Sequence, residues 1–388
     1  MSITKKTYLI IGAGASGLHL AIQMAKSDFF KQHKVIILEK DAKNKADKTW
    51  SFWEKNAGQW DHITKKQWKR GEIYANNKKI SLELEPYLYK TISSIDFYNY
   101  AREILSKHHH ISWKQEEVIQ VKTNANQVEV VTSKSTYKVD YVFDSRLPDL
   151  HQIKSSNYNL IYQHFLGWEI ETNQDFFNAE CFTMMDYRIK DGETTSFTYV
   201  LPYSNRRALV EFTYFSPKIV TTEVYENHLN KYIKEILKLK DFEILSKEQG
   251  VIPMTTFPFE QDHQDRLQKI GTAGGWVKAS TGYSFKNAEK KSQEIVDLIS
   301  SGKSPQKLHQ AFKYRYYDDI FLEVLHHRNE LGEKVFGQLY GKNKIQTLFR
   351  FLDNESSLVD DFKIITSVTS IPFVKALIRL LFKNQSKQ

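Results

Sequence analysis

Cysteine is almost absent from this chain of 388 residues, in which Cys181 stands alone. A single cysteine cannot form an intramolecular disulfide, so we expect a fold without covalent cross-links in a reducing compartment, the cytoplasm. The same scarcity argues against a thiolate metal cluster. The three consecutive histidines His108–His110 are not expected to form a metal site either, because consecutive residues rarely bind the same ion. The sequence therefore predicts no metal site.

Long hydrophobic runs are also missing. No run of about 18 apolar residues occurs, so we expect no membrane-spanning helix. The opening MSITKK leads directly into an apolar strand pattern, with no signal-peptide core before it. Helix-turn-helix spacing, zinc-finger spacing and the G-x-S-x-G turn of hydrolases are absent too. Nucleic acid is therefore not an expected partner, although the net charge is +9.

Aromatic residues, by contrast, are abundant, with 24 Phe, 21 Tyr and 7 Trp. Such side chains line apolar pockets, but they also fill protein cores, and composition does not decide between the two. A chain of this length with 41% hydrophobic residues can form two lobes that share an interface.

The N-terminal pattern predicts a parallel sheet. Two continuous apolar runs, 7–12 and 35–39, flank a helical pattern over 16–28, and 139–144 resembles a further strand. Alternating stretches between 160 and 215 predict an antiparallel sheet in a second lobe.

The rest of the chain is mainly helical by pattern. A helix is expected over 222–238 and another from about Asn287, after a glycine-rich segment at 271–282. The last eighty or so residues form mostly amphipathic helical patterns.

A nucleotide site is predicted where the first strand meets the first helix. Gly12, Gly14 and Gly17 form G-x-G-x-x-G, which permits a tight turn and close approach of a pyrophosphate to the helix N-terminus. Glu39 closes the second strand and can accept hydrogen bonds from an adenosine ribose. The alternative is a glycine-rich turn without a ligand. The candidate cofactor-binding residues of this unit are Gly12, Gly14, Ala15, Ser16, Gly17, Glu39 and Lys40.

The second glycine-rich segment favours FAD over NAD, because strand, loop and helix follow one another again and the loop can approach a flavin. We therefore predict an α/β fold with a Rossmann-type FAD-binding domain, an antiparallel-sheet substrate domain and a helical C-terminus. The predicted divisions are 1–150 and 263–303 for the FAD-binding parts, 151–262 for the substrate domain and 304–388 for the helical region.

Several ordered motifs resemble those of the bacterial lycopene cyclase family, which is related to the flavin monooxygenases, and the resemblance covers nearly the whole chain. The motifs are Asp47–Trp53, Gln163–Trp168, Met185–Arg188, Tyr199–Pro202, Leu209–Thr213 and Ser280–Tyr283. The chain departs from the pattern at Leu147, where a glycine often follows Arg146, and at Thr272, where hydroxylase relatives carry aspartate after Gly271. The second departure favours a cyclase over a hydroxylase.

The resemblance implies a lycopene beta-cyclase of the intramolecular lyase and isomerase class, which converts the linear ends of lycopene to beta-rings in gamma-carotene and beta-carotene. It implies reduced FAD, with NAD(P)H as the reductant. The further cofactor-binding residues that it suggests are Trp50, Asp144, Arg146, Gly271, Gly274, Thr281, Gly282 and Tyr283.

Cyclisation starts with protonation of an alkene, so it requires a neutral acid in a dry pocket, where burial raises a carboxyl pKa. Within the motif that the family resemblance supplies, Glu211 is the expected proton donor, and a solvated position on an open sheet face is the alternative. Asp186 is a candidate second carboxylate, with an ion pair to Arg188 as its alternative. An anionic reduced flavin can stabilise the cation, and proton donation by that flavin is a rival hypothesis.

The C-terminal segment 371–383 combines an apolar face with Lys375, Arg379 and Lys383 on one stripe. Such a helix can lie in a membrane interface or dock on the core. A lipid-soluble substrate favours peripheral contact with the inner membrane, and other enzymes of carotenoid synthesis are candidate partners. The alternatives are an FAD-dependent isoprenoid hydroxylase or reductase using NAD(P)H, and a non-catalytic carotenoid or flavin carrier.

Overall fold

A computed structural model describes residues 4–147, 150–308, 312–368 and 371–385. The strands in these residues, in chain order, are β1 (Thr7–Ile11), β2 (Lys34–Glu39), β3 (Thr49–Lys55), β4 (Lys66–Trp68), β5 (Arg70–Ala75), β6 (Lys78–Glu83), β7 (Tyr87–Ser93), β8 (Ile111–Gln115), β9 (Val118–Thr123), β10 (Val128–Thr132), β11 (Thr136–Val139), β12 (Tyr141–Asp144), β13 (Ile161–Glu171), β14 (Cys181–Asp186), β15 (Thr195–Pro202), β16 (Arg207–Ser216), β17 (Glu243–Met254) and β18 (Leu267–Lys269).

The α-helices of the same residues are α1 (Ala15–Lys26), α2 (Ser94–Ser106), α3 (Leu150–Ser155), α4 (Thr222–Lys231), α5 (Phe285–Ser300), α6 (Phe312–His327), α7 (Gly332–Lys342), α8 (Ile345–Leu352), α9 (Leu358–Ser367) and α10 (Ile371–Gln385). A π-helical turn, Tyr232–Leu237, continues α4, so the helix predicted over 222–238 is present.

The predicted parallel sheet is confirmed as five strands in the order β18-β12-β1-β2-β8. Its central strand β1 is buried on both sides, which is why its sequence is continuously apolar. The predicted strand 139–144 is divided, because Val139 ends β11 and β12 begins at Tyr141. Helix α1 ends at Lys26, two residues before its predicted end, because Ser27 adopts an extended conformation.

The predicted antiparallel sheet is confirmed within a larger one, ordered β17-β13-β16-β15-β14-β5-β6. Neighbouring strands are antiparallel except for the pair β14 and β5. Strands β5 and β6 come from residues 70–83, inside the segment assigned by sequence to the first FAD-binding part. The chain thus adds two strands to the second lobe before it completes the first.

Helices cover both faces of this sheet. Leu209 on β16 packs in a cluster with Leu322, Leu325 and Phe336 of the C-terminal helices. Its neighbour Val210 packs in a different cluster, with helix α4 and the turn that follows. Because strand side chains alternate between faces, Glu211 points to the same side as Leu209.

The C-terminal region is helical, as predicted. Helix α5 begins at Phe285, two residues before the predicted start near Asn287. In the described residues no single helix is long and apolar enough to cross a membrane, whereas α9 and residues 371–382 of α10 meet that test only together, with a bend of 117° between them.

Candidate functional site

Three glycines shape the turn between β1 and α1. A side chain on Gly17 would lie 2.0 Å from the carbonyl oxygen of Gly12, so this glycine allows the helix to pack against the turn. Gly12 itself has a φ of +93°, which favours glycine. A side chain on Gly14 would meet no described atom within 4 Å. The open space therefore lies at the N-terminus of α1, where free N–H groups favour an anion.

Glu39 lies at the end of β2 beside this turn, as the sequence predicts. One carboxylate oxygen accepts a hydrogen bond from the Ala13 backbone N–H at 2.7 Å, and the other accepts one from Asp41 at 3.0 Å. The carboxylate is thus fixed at the glycine turn. Lys40, the next residue, is exposed. Contact of either residue with a cofactor stays a prediction.

The two glycine-rich segments meet in space. Gly271 has a φ of +64°, and a side chain there would lie 2.8 Å from the hydroxyl oxygen of Ser16. A side chain on Gly274 would lie 2.5 Å from the carbonyl oxygen of Lys269. Residues separated by about 250 positions therefore form one glycine-lined surface, which is the arrangement expected of two segments that bind one extended cofactor.

Asp144 and Arg146 lie at the end of β12, next to this surface. Arg146 donates to the Asp144 carboxylate from its backbone N–H and from its guanidinium, with Nη2 at 2.8 Å from Oδ2, and Lys269 donates to the same oxygen at 2.8 Å. Burial favours a higher pKa for Asp144, but the hydrogen bonds and charges of the two cations outweigh it, and the pKa is lowered. Asp144 is thus an ionised anchor that fixes the loop carrying Arg146.

A cavity of about 410 Å³ opens between the second glycine-rich segment and the seven-stranded sheet. Five predicted site residues from distant parts of the sequence line it: Trp50, Glu211, Thr281, Gly282 and Tyr283. Gly282 has a φ of +77°, and a side chain there would lie 1.7 Å from the Gln163 amide oxygen. The fold therefore joins the predicted proton donor and four of the predicted cofactor-binding residues around one space.

Glu211 is buried in the wall of this cavity, with 8% of its surface exposed. Its Oε1 accepts a hydrogen bond from the Thr213 hydroxyl at 2.8 Å. Burial, and then the charge of Glu248, raise the pKa of Glu211 well above its usual value, and the Thr213 bond only partly opposes them. A carboxyl in this setting can hold its proton at neutral pH, so the solvated alternative is not what the structure contains.

Glu248 is a site residue that sequence reasoning missed. It lies on β17 and, like Glu211 on β16, it is directly opposite Gly167 of the strand between them, β13. A side chain on Gly167 would be 3.3 Å from the Glu211 Cβ and 3.4 Å from the Glu248 Cγ. The glycine thus leaves room for two carboxyl groups to meet in hydrogen-bonding contact above it.

Aromatic hydroxyl groups close another side of the cavity. The Tyr89 hydroxyl lies 2.8 Å from that of Tyr199 and 3.0 Å from that of Tyr283, and Tyr199 donates to the Ser51 hydroxyl at 3.1 Å. Burial raises the pKa of each of these tyrosines well above its usual value. The network is therefore neutral and brings no charge to the site.

Asp186 has a different setting. It is fully buried, but it is not among the residues that line the cavity. Arg188 makes an ion pair with it, with Nε 2.9 Å from Oδ1, and the Tyr232 hydroxyl donates to Oδ2 at 2.7 Å. The structure thus contains the ion pair that was the alternative for this residue, and a catalytic role for Asp186 stays a prediction without structural support.

A second, apolar cavity of about 330 Å³ lies among helices α6 to α10. Its lining includes Phe321, Phe336 and Leu377, and it shares Thr281 and Tyr340 with the first cavity. The two spaces are therefore separated by single side chains. In the described residues, no group of three His, Cys, Asp or Glu side chains is arranged to hold a metal ion.

Comparison with solved structures shows the fold. A flavoprotein/dehydrogenase from Cytophaga hutchinsonii matches with a TM-score of 0.64 at 11% identity, covering 99% of this chain and 100% of that one. A geranylgeranyl bacteriochlorophyll reductase-like protein from Thermoplasma acidophilum matches with 0.59 at 14% identity, covering 96% of each. The flavin-dependent brominase Bmp2 matches with 0.59 at 13% identity, covering 99% and 100%. The predicted α/β flavoprotein fold is thus confirmed.

Comparison of sequences shows the family. No curated protein sequence is significantly similar to this chain. The family model described as lycopene cyclase protein, however, matches residues 8–378. This match confirms the resemblance seen in the ordered motifs, and the chain belongs to the lycopene cyclase family.

Proposed function

We propose that this protein is an FAD-dependent lycopene beta-cyclase, which closes the linear ends of lycopene to beta-rings without net oxidation or reduction. The observation that carries the proposal is the Glu211 carboxyl, buried in a cavity wall with a raised pKa and no cation paired with it in the described residues. The family match supports the substrate class, and the acid supports the chemistry.

FAD is the cofactor that the residues fit. Gly12, Gly14 and Gly17 leave an open anion site at the α1 N-terminus, and Gly271 extends that surface. Near the cavity, the Gln163 amide oxygen and the Thr281 hydroxyl are buried without a hydrogen-bond partner in the described residues, as expected of groups that face a polar ligand. A reduced, anionic flavin bound there would supply negative charge close to a developing cation. We propose NAD(P)H as its reductant.

The reaction uses one proton and returns it. The Glu211 carboxyl donates its proton to the terminal double bond, and the C–H bond that forms leaves a tertiary cation. The neighbouring double bond attacks this cation and closes the ring. The ring cation then loses a proton to a carboxylate of the site, so the product is an isomer of the substrate. Aromatic and apolar side chains form much of the cavity lining, and they would limit the access of water that could trap the cation.

The apolar cavity among the C-terminal helices supports a long hydrocarbon substrate, since it adjoins the site and is lined almost wholly by apolar side chains. Outside it, α9 and α10 expose further large apolar side chains: Leu358, Val359, Phe362, Ile371, Ile378, Leu381 and Phe382. Lys375 is exposed beside them, Arg379 contacts Glu323 at 3.3 Å, and the Lys383 side chain lies outside the described residues. We propose that this face contacts the inner membrane peripherally, from the cytoplasmic side.

Expression in a lycopene-accumulating bacterium tests the reaction. We expect beta-ring carotenoids with the mass of lycopene, and unchanged lycopene in cells that express Glu211→Gln at equal level and equal flavin content. Unchanged lycopene with well-expressed, flavin-loaded wild-type protein would reject the proposal.

The second candidate is a hydroxylase or reductase of an isoprenoid. The reductase-like protein of Thermoplasma acidophilum has a similar fold, which is why a reductase is the alternative function. Such an enzyme would consume NAD(P)H in proportion to product, and its product would gain oxygen or hydrogen. A cyclase needs reductant only to keep the flavin reduced. Product mass and NAD(P)H stoichiometry separate the two functions.

Flotation with anionic vesicles tests the membrane contact. Phe362→Ser should weaken binding severalfold, because that side chain is 69% exposed on the proposed face. Ile119→Ser, on β9 with a similar exposure of 66%, is the matched control and should bind like wild type. Equal binding by all three proteins would overturn the membrane proposal and leave the cyclase proposal intact.

A further inference from the structure

Glu248, the second glutamate that lines the cavity, has no role in the reaction proposed above. Glu248 and Glu211 flank Gly167 in one row across three neighbouring strands, and each is directly opposite that glycine. In an antiparallel sheet, residues in such a row share a face. The missing side chain of Gly167 lets the two carboxyl groups meet, and both line the same cavity.

We propose that Glu211 and Glu248 share one proton across Gly167, and that Glu248 is the positioning residue that keeps this proton on Glu211 at neutral pH. This inference rests on the proposed function and deepens it. Glu211 is buried and Glu248 is half-buried, and two carboxylates in contact in such a setting repel each other, so the second proton of the pair is lost only at high pH.

The surroundings of the pair are asymmetric, and they decide which carboxyl holds the proton. Thr49 donates a hydrogen bond to the Glu248 carboxylate at 2.6 Å, and the positive charges of Lys48 and Lys65 act on the same group. Among the described residues, Glu211 receives one hydrogen bond besides its contact with Glu248, and the donor is the Thr213 hydroxyl. Burial raises the pKa of both groups, but the neighbours of Glu248 oppose that rise more strongly. The ionised form therefore belongs mainly to Glu248.

Other titratable groups that face the pair are tyrosines, namely Tyr199, Tyr203 and Tyr283. Burial raises the pKa of each one well above its usual value, so they stay neutral. Lys65 also contacts Glu169 at 3.0 Å, which divides its charge between two carboxylates. Between neutral and moderately alkaline pH, the glutamate pair is therefore the group at this wall expected to change its charge.

The shared proton fits the proton cycle. The standing negative charge on Glu248 stabilises a cation that forms nearby. Donation of the proton to the alkene leaves two carboxylates in contact, and this pair readily takes a proton from the ring cation. One O–H bond breaks and one C–H bond forms in the first step, and the reverse exchange closes the cycle without any oxidant or reductant.

The pH profile of cyclisation by Glu248→Gln tests the inference. Removal of the neighbouring charge should move the alkaline midpoint of the rate to lower pH, by about one unit or more, which is a tenfold change in proton concentration. Glu248→Asp should restore the midpoint in part, because it keeps the charge. Glu243→Gln is the matched control, since Glu243 is exposed on the same strand opposite Glu171, and it should leave the profile unchanged.

A loss of rate at every pH with an unmoved midpoint would mean that Glu248 is only structural, and a wild-type profile would mean that it has no role; either result overturns the inference.

Infrared titration of the flavin-loaded protein measures the protonation of the pair without any substrate. A protonated carboxyl band should persist above pH 7 in wild type, vanish in Glu211→Gln and titrate lower in Glu248→Gln. If wild type cyclises lycopene but lacks this band, the inference fails and the proposed function stands. If the band behaves as expected but no cyclisation occurs, the function fails and the pair remains.

Discussion

Asp186 and Glu211 lie in the same sheet, and both are buried carboxyl groups, yet their neighbours differ completely. Asp186 is held by the Arg188 guanidinium and the Tyr232 hydroxyl. Glu211 has a threonine hydroxyl and a second glutamate. The first arrangement satisfies a charged group, and the second disfavours the charge. Burial alone therefore does not identify a catalytic acid, because the charge of the neighbours decides whether the proton stays.

The largest expected effect is on the reaction rate. Glu211→Gln should lower the cyclisation rate by roughly 10²–10⁴-fold, the range that a general acid contributes. Asp186→Asn should keep the rate per folded, flavin-loaded molecule within a few-fold of wild type. Rates are measured with lycopene in vesicles under anaerobic, reducing conditions. A comparable loss in both variants would remove the distinction between the two carboxyl groups.

The next largest effect is on stability, and here we expect Asp186→Asn to be more destabilising than Glu211→Gln. Asp186→Asn should lower the free energy of unfolding by roughly 1–3 kcal/mol, because it weakens the bonds of Arg188 and the buried Tyr232 hydroxyl. The loss is modest because the Arg188 side chain is 42% exposed, and solvent weakens its ion pair with Asp186. Glu211→Gln should cost little, since the amide replaces a neutral carboxyl. Urea unfolding at pH 7 measures both.

The pH dependence of stability sharpens the comparison further. The folded-state pKa of Glu211 is raised, so folded protein binds a proton that unfolded protein releases above about pH 4.5. Stability of wild type should therefore fall as pH rises from there toward the folded-state pKa, by up to about 1.4 kcal/mol per pH unit. Glu211→Gln should lack this part of the slope. Parallel curves for the two proteins would show that Glu211 is ionised in the folded state.

The smallest effect should come from Gly167→Ala. The added methyl group would lie 3.0 Å from Leu209 Cδ1 and close to both glutamates, so it should push the carboxyl groups apart. We expect a few-fold lower rate and a small shift of the alkaline midpoint to lower pH, with the flavin still bound. Gly192→Ala is not a suitable control, because Gly192 has a φ of +53°. Gly341→Ala is better, because the added methyl group would make an ordinary van der Waals contact, 3.5 Å from Ile80 Cδ1.

The sequence predicts the first lobe well, because the glycine turn, the two apolar strands and the terminal Glu39 are close together along the chain. It also locates Glu211, since a glutamate between Val210 and Phe212 in a strand is unusual and a known motif surrounds it. Strands β5 and β6 were not predicted as part of this sheet, because they join it through the pairing of β5 with β14, which brings together residues more than a hundred positions apart.

Glu248 was missed for a related reason. Its segment was not predicted as a strand, and no neighbouring motif distinguishes Glu248 from the other charged residues of β17. The available signal was Gly167, since a glycine inside a strand often marks close approach of other groups. Which groups approach it depends on the pairing of three strands, and that follows only from the three-dimensional structure.

The row of Glu211, Gly167 and Glu248 also links chemistry to strand alignment. Side chains alternate along a strand, so a slip of one residue between β13 and β17 would turn Glu248 to the opposite face of the sheet. A misaligned chain could still bind flavin through the first lobe, yet it would lack the paired acid. Turnover by this protein thus reports on correct β-sheet assembly, which flavin colour alone does not.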